Sequence, residues 1–145
     1  MSSFNTALDE LVTLLQYNPG LVALCEQYWS KQLTILRVFR NRTEVLLTDL
    51  PLVMVTRYQL DPGYQENSVY GGHKLRLYYG FHQDDRLKAQ VQTVAFEEAL
   101  RDALLVDPST NGTTENVTPG TAVNDEGQNH PVYFGVMEVD VMHKR

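Results

Sequence analysis

The sequence predicts an α+β domain. Three observations carry that expectation. Apolar residues recur at helical spacing over the first thirty positions, alternating apolar and polar residues fill much of 33–82, and a long helical stretch stands before one last alternating run. The expected architecture is an N-terminal helix or helical hairpin, then a mixed, mainly antiparallel sheet of about four strands packed on a long helix, with the last strand C-terminal. A chain of 145 residues fits one domain over 1–145 and leaves little room for a second.

Phe4, Leu8, Leu11, Val12 and Leu15 fall on one side of a helix over 4–17, with Ser3 as N-cap. Asn18-Pro19-Gly20 interrupts it, because a proline disfavours helical geometry at the residue before it. The same triplet can start a second helix, with Asn18 as cap and Pro19 at the first helical position. Leu21, Leu24, Cys25, Tyr28 and Trp29 then form a second stripe, so a hairpin and a kinked long helix both remain open. Residues 33–40 are rich in strand formers, Asn41-Arg42 reads as a turn, and 44–47 can return as a short strand. Residues 52–59 form the next strand, entered through Pro51, which lacks an N–H to donate.

Residues 60–72 read as a loop or an extended hairpin tip. The clearest strand is 73–82, with Leu75, Leu77, Tyr79 and Phe81 on one face and Lys74, Arg76, Tyr78 and His82 on the other. One face is buried, and the other is wet or contacts a partner. Asp84 or Asp85 caps a helix reaching to about 105, ended by Asp107-Pro108. Its apolar side is expected at Leu87, Val91, Val94, Ala95, Ala99 and Ala103. Residues 107–131 are polar and long for a connection, with a short strand possible at 116–118. The chain closes with a strand over 132–143, whose Tyr133, Met137, Val139 and Val141 share a face. It arrives after a long helix and can pair in either sense, including parallel. Lys74 and Arg76 are expected to share a sheet face with Glu138 and Asp140.

The net charge is −6, which argues against a strongly basic nucleic-acid-binding domain. The charge is uneven. The first 83 residues hold seven bases and seven acids, and no Lys or Arg stands between Asp107 and Val141. The acidic half carries a negative field towards whatever it meets. No apolar run is long enough to span a bilayer, and the first residues lack the basic and apolar pattern of a secretory signal. The single cysteine, Cys25, allows no internal disulfide and fits a reducing compartment of synthesis.

Chemical motifs are sparse. Gly71-Gly72-His73-Lys74 lacks P-loop spacing and reads as a turn before a strand. His73 and His82 are nine positions apart, which sends them to opposite faces of one strand, and His130 and His143 stand at the two ends of another. No metal site is expected. Cys25 lies on an apolar helix stripe and reads as a core residue. The acid pairs 84–85, 97–98 and 125–126 are adjacent in sequence and do not face each other across a cleft. No catalytic residue and no cofactor is expected. Tyr64 and Tyr70, among polar neighbours, suit an interface, since tyrosine offers large amphipathic area at low entropy cost.

The layout resembles the tail terminator, or tail-completion, proteins of tailed bacteriophages. The resemblance rests on an N-terminal helix, then Asp49-Leu50-Pro51-Leu52-Val53-Met54-Val55, similar to the family's LPxVxV strand start. A hairpin follows, then the long helix ending Leu104-Leu105-Val106-Asp107-Pro108, Asn111-Gly112-Thr113, a polar acidic loop and a last alternating strand. The two N-terminal helices and the long 60–72 loop depart from the simplest family pattern, which leaves head-tail connector and neck roles open. The resemblance implies a non-enzymatic virion protein, synthesised in the host bacterial cytoplasm. Such a protein forms a hexameric ring on the tail tube, stops polymerisation and joins the head. Its partners would be its own copies, the tail tube protein and a head-tail connector protein, with no membrane and no specific nucleic acid, although DNA can pass through the ring. The polar arms 60–72 and 107–131 then supply the candidate contacts: Tyr64, Gln65, Asn67 and Tyr70 in the first, Glu115, Asn116, Asp125 and Glu126 in the second. The competing class is a small-ligand binding domain or enzyme on the same scaffold.

Overall fold

A computed structural model describes residues 3–62, 70–114 and 116–144. Tyr64, Gln65, Asn67 and Glu115 lie outside them. The protein is α+β: three helices and one five-stranded mixed sheet.

Helix α1 (Phe4–Gln16) is capped by the Ser3 side chain, which accepts from the Thr6 N–H. Helix α2 (Pro19–Trp29) begins where the Asn18 side-chain oxygen accepts from the Leu21 N–H at 3.0 Å. It ends at Ser30 in the left-handed conformation. The strands are β1 (Thr34–Leu36), β2 (Leu52–Pro62) and β3 (Tyr70–His82). Helix α3 (Arg86–Val106) follows, then β4 (Asn116–Asn124) and β5 (Val132–Lys144). Asp85 caps α3 by accepting from the Lys88 N–H at 3.0 Å. The order across the sheet is β1-β2-β3-β5-β4, with β1 parallel to β2 and every other pair antiparallel.

Five strands replace the expected four or so, and the differences have physical causes. Of the strand expected at 33–40, only Thr34–Leu36 pairs. The return strand at 44–47 is instead part of a segment with two single-turn 3-10 helices, Arg42–Glu44 and Leu47–Asp49. Its apolar residues Val45 and Leu50 pack on Leu52 and Met54, covering the sheet rather than extending it. Residues 107–131 are not one long arm. They hold a turn at 107–114 tied by Asp107, the nine-residue β4, and a second turn at 125–131. The edge position of β4 explains how a strand tolerates Pro119 and Gly120, because no neighbour needs their outward backbone groups. The β4–β5 hairpin also inserts β5 between β3 and β4, so the last strand is antiparallel to both, not parallel. Of the 60–72 segment, residues 60–62 end β2 and 70–72 begin β3, and 63–69 lie outside the described residues.

The core lies between the helices and one sheet face. Leu75, Leu77, Tyr79 and Phe81 of β3 are all buried there, as are Tyr133, Met137, Val139 and Val141 of β5. Each fully buried side chain of this size stabilises the fold by roughly 1.5–3 kcal/mol. The Trp29 ring lies 5.0 Å from Phe81 and 5.7 Å from Phe96, joining α2, β3 and α3. Tyr79 stacks on Phe96 at 5.2 Å and donates its hydroxyl hydrogen to Glu97. A Cβ at position 135 would overlap the Tyr79 hydroxyl, so β5 carries glycine beside it.

Helix α3 buries Ala89, Gln92, Phe96, Leu100, Ala103 and Leu104. Of the six residues expected on its apolar side, Ala103 is in that set, while Leu87, Val91 and Val94 face outwards. The helix is apolar on two sides, and the bulkier Phe96 and Leu100 took the core.

Candidate protein interaction surfaces

The sheet face turned away from α3 is built by strand alternation. Cross-strand register sets its side chains in rows. Leu52, Gly80 and Phe134 form one row, and Met54, Tyr78, Val136 and Val123 the next, spanning four strands. Below them come Arg76 with Glu138 and Lys74 with Asp140. This face is therefore apolar at one end and charged at the other.

At the charged end, Lys74 Nζ lies 3.4 Å from Asp140 and Arg76 Nε 3.8 Å from Glu138. These four residues share a sheet face, as expected, and pair across it. Pairs this exposed contribute little stability, about 0–1 kcal/mol. Their effect is to neutralise this end of the face. The Arg76 guanidinium also lies 3.9 Å from the centre of the Tyr58 ring, a cation–π contact.

At the apolar end, the segment leading into β2 crosses the face without closing it. Phe39 meets Tyr78 edge-on at 4.9 Å and remains 53% exposed. A groove of about 640 Å³ runs between this segment and the β4–β5 hairpin, floored by Met54, Tyr78, Phe134 and Val136, with Phe39 and Val123 on its sides. Arg40 and Arg42 stand on its rim. Arg40 is held 3.5 Å from Asp49. Arg42 sits 5.6 Å from the centre of the Phe134 ring and has no carboxylate partner among the described residues.

The second surface is the outward stripe of α3. Leu87, Val91, Val94 and Leu105 are between 51% and 72% exposed. At 3.6 residues per turn they share one side of the helix. Glu98 and Asp102 stand in the same stripe, exposed and without an ion-pair partner among the described residues. An exposed leucine is ordinary, but a run of aliphatic side chains opposite the core face of a helix is a contact surface in form.

The described candidate residues fall at two ends of the sheet. Asn116 opens β4 and pairs with Met142, while Tyr70 opens β3 and pairs with Lys144, so both belong to one end. Asp125 and Glu126 lie in the turn after β4, at the other end. Eight steps of about 3.3 Å along the strand separate these ends by roughly 25 Å. Asp125 shapes its turn, accepting from the Gly127 N–H at 2.9 Å and from the Asn129 side chain at 2.8 Å. Glu126 is exposed beside it, with a φ of 55°. The structure does not gather these residues into one patch. The groove residues Phe39, Val123, Phe134 and Val136 were not singled out from sequence. The available signal was Tyr78, an aromatic among the outward-facing residues of β3.

Cys25, His73 and His143 are buried. Cys25 is fully buried on α2, as expected for a core residue, and burial pushes its thiol up to about 12. His73 and His143, which sequence spacing did not bring together, have ring centres 5.8 Å apart in the core. Among the described residues, no group of three or more His, Cys, Asp and Glu is placed to hold a metal ion. No described helix is long and apolar enough to cross a membrane. No known family model matches the chain, and no curated protein matches it significantly.

Proposed function

We propose that the chain is a structural virion protein of the tail terminator type. In this reading it forms a ring on the end of a phage tail tube, a hexamer as the family resemblance implies. The ring stops tube polymerisation and offers a surface for head-tail joining. The observation that supports this most is the pair of dissimilar apolar surfaces on one subunit, the groove on the open sheet face and the outward stripe of α3. A ring subunit needs two different surfaces, because each copy meets one neighbour with each.

The two ends of the sheet suit the axial partners. Tyr70 and Asn116 lie at one end and Asp125 and Glu126 at the other. Tube protein and head-tail connector protein are the proposed occupants, one at each end. The role is non-enzymatic and belongs to the virion tail or neck.

The test is electron microscopy of particles assembled without this gene product. Overlong tubes are expected. Headless tails of normal length would reassign the protein as a connector or neck component. Complete particles with normal tails would overturn the assembly role. A small-ligand binding domain is the second reading, favoured by the aromatic floor of the groove and the Arg42 guanidinium above Phe134.

A further inference from the structure

The two surfaces match each other in chemistry as well as in kind. The groove is apolar on its floor and charged on its rim, where Arg40 is held by Asp49, Asp125 lies on the hairpin side, and Arg42 has no carboxylate partner among the described residues. The α3 stripe is aliphatic over its first two turns, at Leu87, Val91 and Val94, and charged beyond them, with Glu98 one turn and Asp102 two turns further on, while Arg101 between them is turned to the Gly120 carbonyl at 3.0 Å. A rise of 1.5 Å per residue puts Glu98 about 6 Å beyond Val94 along the axis. The Arg42 guanidinium lies a comparable 5.6 Å from the centre of the Phe134 ring on the floor. The lower part of the same sheet face is already neutralised by the Lys74–Asp140 and Arg76–Glu138 pairs, so among the described residues lining the groove Arg42 is the cation without a salt bridge, free to attract an incoming acid.

We infer that the occupant of the groove is α3 of a second copy of this chain. Leu87, Val91 and Val94 enter over Tyr78, Phe134 and Val136, and Glu98 or Asp102 meets Arg42. Because the helix stripe points away from the face that α3 covers, and the groove opens on the opposite face, the contact is heterologous. Each copy offers its helix to one neighbour and its groove to the other, which closes into a ring where the rotation permits. The inference rests on the ring-forming reading above and specifies which surfaces make the ring.

The test uses two surface variants of the whole chain, Val91→Asp on the helix stripe and Phe39→Asp at the groove. Both positions are more than half exposed, so neither change empties the core. Each variant alone is expected to weaken self-association by about a hundredfold, as removal of a central contact residue does. Mixed in equal amounts, the two should form a one-to-one dimer by native mass spectrometry. The intact groove of Val91→Asp accepts the intact helix of Phe39→Asp, and growth stops there. A charge exchange gives a separate readout: Arg42→Glu should weaken assembly, and Arg42→Glu combined with Glu98→Arg and Asp102→Arg should restore it.

Variants that assemble like the wild type would overturn this contact while leaving a ring by other surfaces intact. A mixture that stays monomeric, with each variant folded by circular dichroism, would also overturn it. A wild-type chain that remains monomeric at high concentration would overturn the self-contact. Normal tails in particles lacking the gene product would instead overturn the virion role and leave the contact standing.

Discussion

His73 lies with its ring 3.5 Å from that of Phe4 and nearly parallel to it, tying β3 to the first turn of α1. Arg57 Nη1 stands 3.4 Å from His73 Nδ1 and donates towards it, which suits a neutral imidazole with its hydrogen on Nε2. Burial, then the charges of Arg57 and His143, push the group down from its ordinary 6.5 to about 4. The unfolded chain therefore binds a proton more readily than the folded one as pH falls. Stability should be unaffected by this group above pH 6.5, decline between 6.5 and 4, and level off below. Urea titrations across that window should show the decline in the wild type. His73→Phe, which keeps a flat ring against Phe4, should flatten it. An unchanged slope in the variant would show that His73 does not carry the effect. The approach of His73 to His143, diagonal neighbours across β3 and β5, needed the register of the sheet, which no local pattern in the sequence supplies.

At the scale of elements, the helices and the two long core strands were legible because each has a strong local signal. Ser3, Asn18 and the acids at 84 and 85 marked three helix starts, of which the structure uses Asp85 for the third, and strict alternation marked the faces of β3 and β5. What could not be read was decided by tertiary competition. Residues 33–40 and 44–47 carry strand-like composition, but past Leu36 only Val45 and the neighbouring Leu50 are drawn onto Leu52 and Met54, while Val38, Phe39, Leu46 and Leu47 stay exposed and unpaired in the sheet. Edge strand β4 has turn-like composition, and only pairing with β5 makes it a strand. Helix α3 has two apolar sides, and sequence alone cannot say which one meets the sheet. The sidedness has a direct consequence. Leu100→Ala, on the fully buried side, should cost about 2–5 kcal/mol. Val91→Ala, on the outward stripe, should change the stability of the isolated subunit by no more than about 0.5 kcal/mol. Denaturant midpoints at low protein concentration measure both, and equal losses would contradict the assigned faces.

At the scale of the whole molecule, the acidity of the later part of the chain has a place in the fold. Glu98 and Asp102 lie on the outward side of α3, and Asp125 and Glu126 in the hairpin turn beyond β4. The earlier part contributes Arg40 and Arg42 to the rim of the groove. In the proposed ring, the aliphatic ridge bearing Glu98 and Asp102 would meet the aromatic groove bearing Arg42. The charge asymmetry was visible in the sequence, but its meeting with exposed apolar surface was not, because the groove is assembled from β2, β3, β5, the β4–β5 hairpin and the segment before β2. Native mass spectrometry of the intact chain, followed over a rising concentration series, tests self-assembly most directly. The ring-forming reading predicts one closed species, six copies by the family resemblance, appearing without a ladder of larger forms. A chain that stays monomeric throughout, or grows without limit, would contradict it.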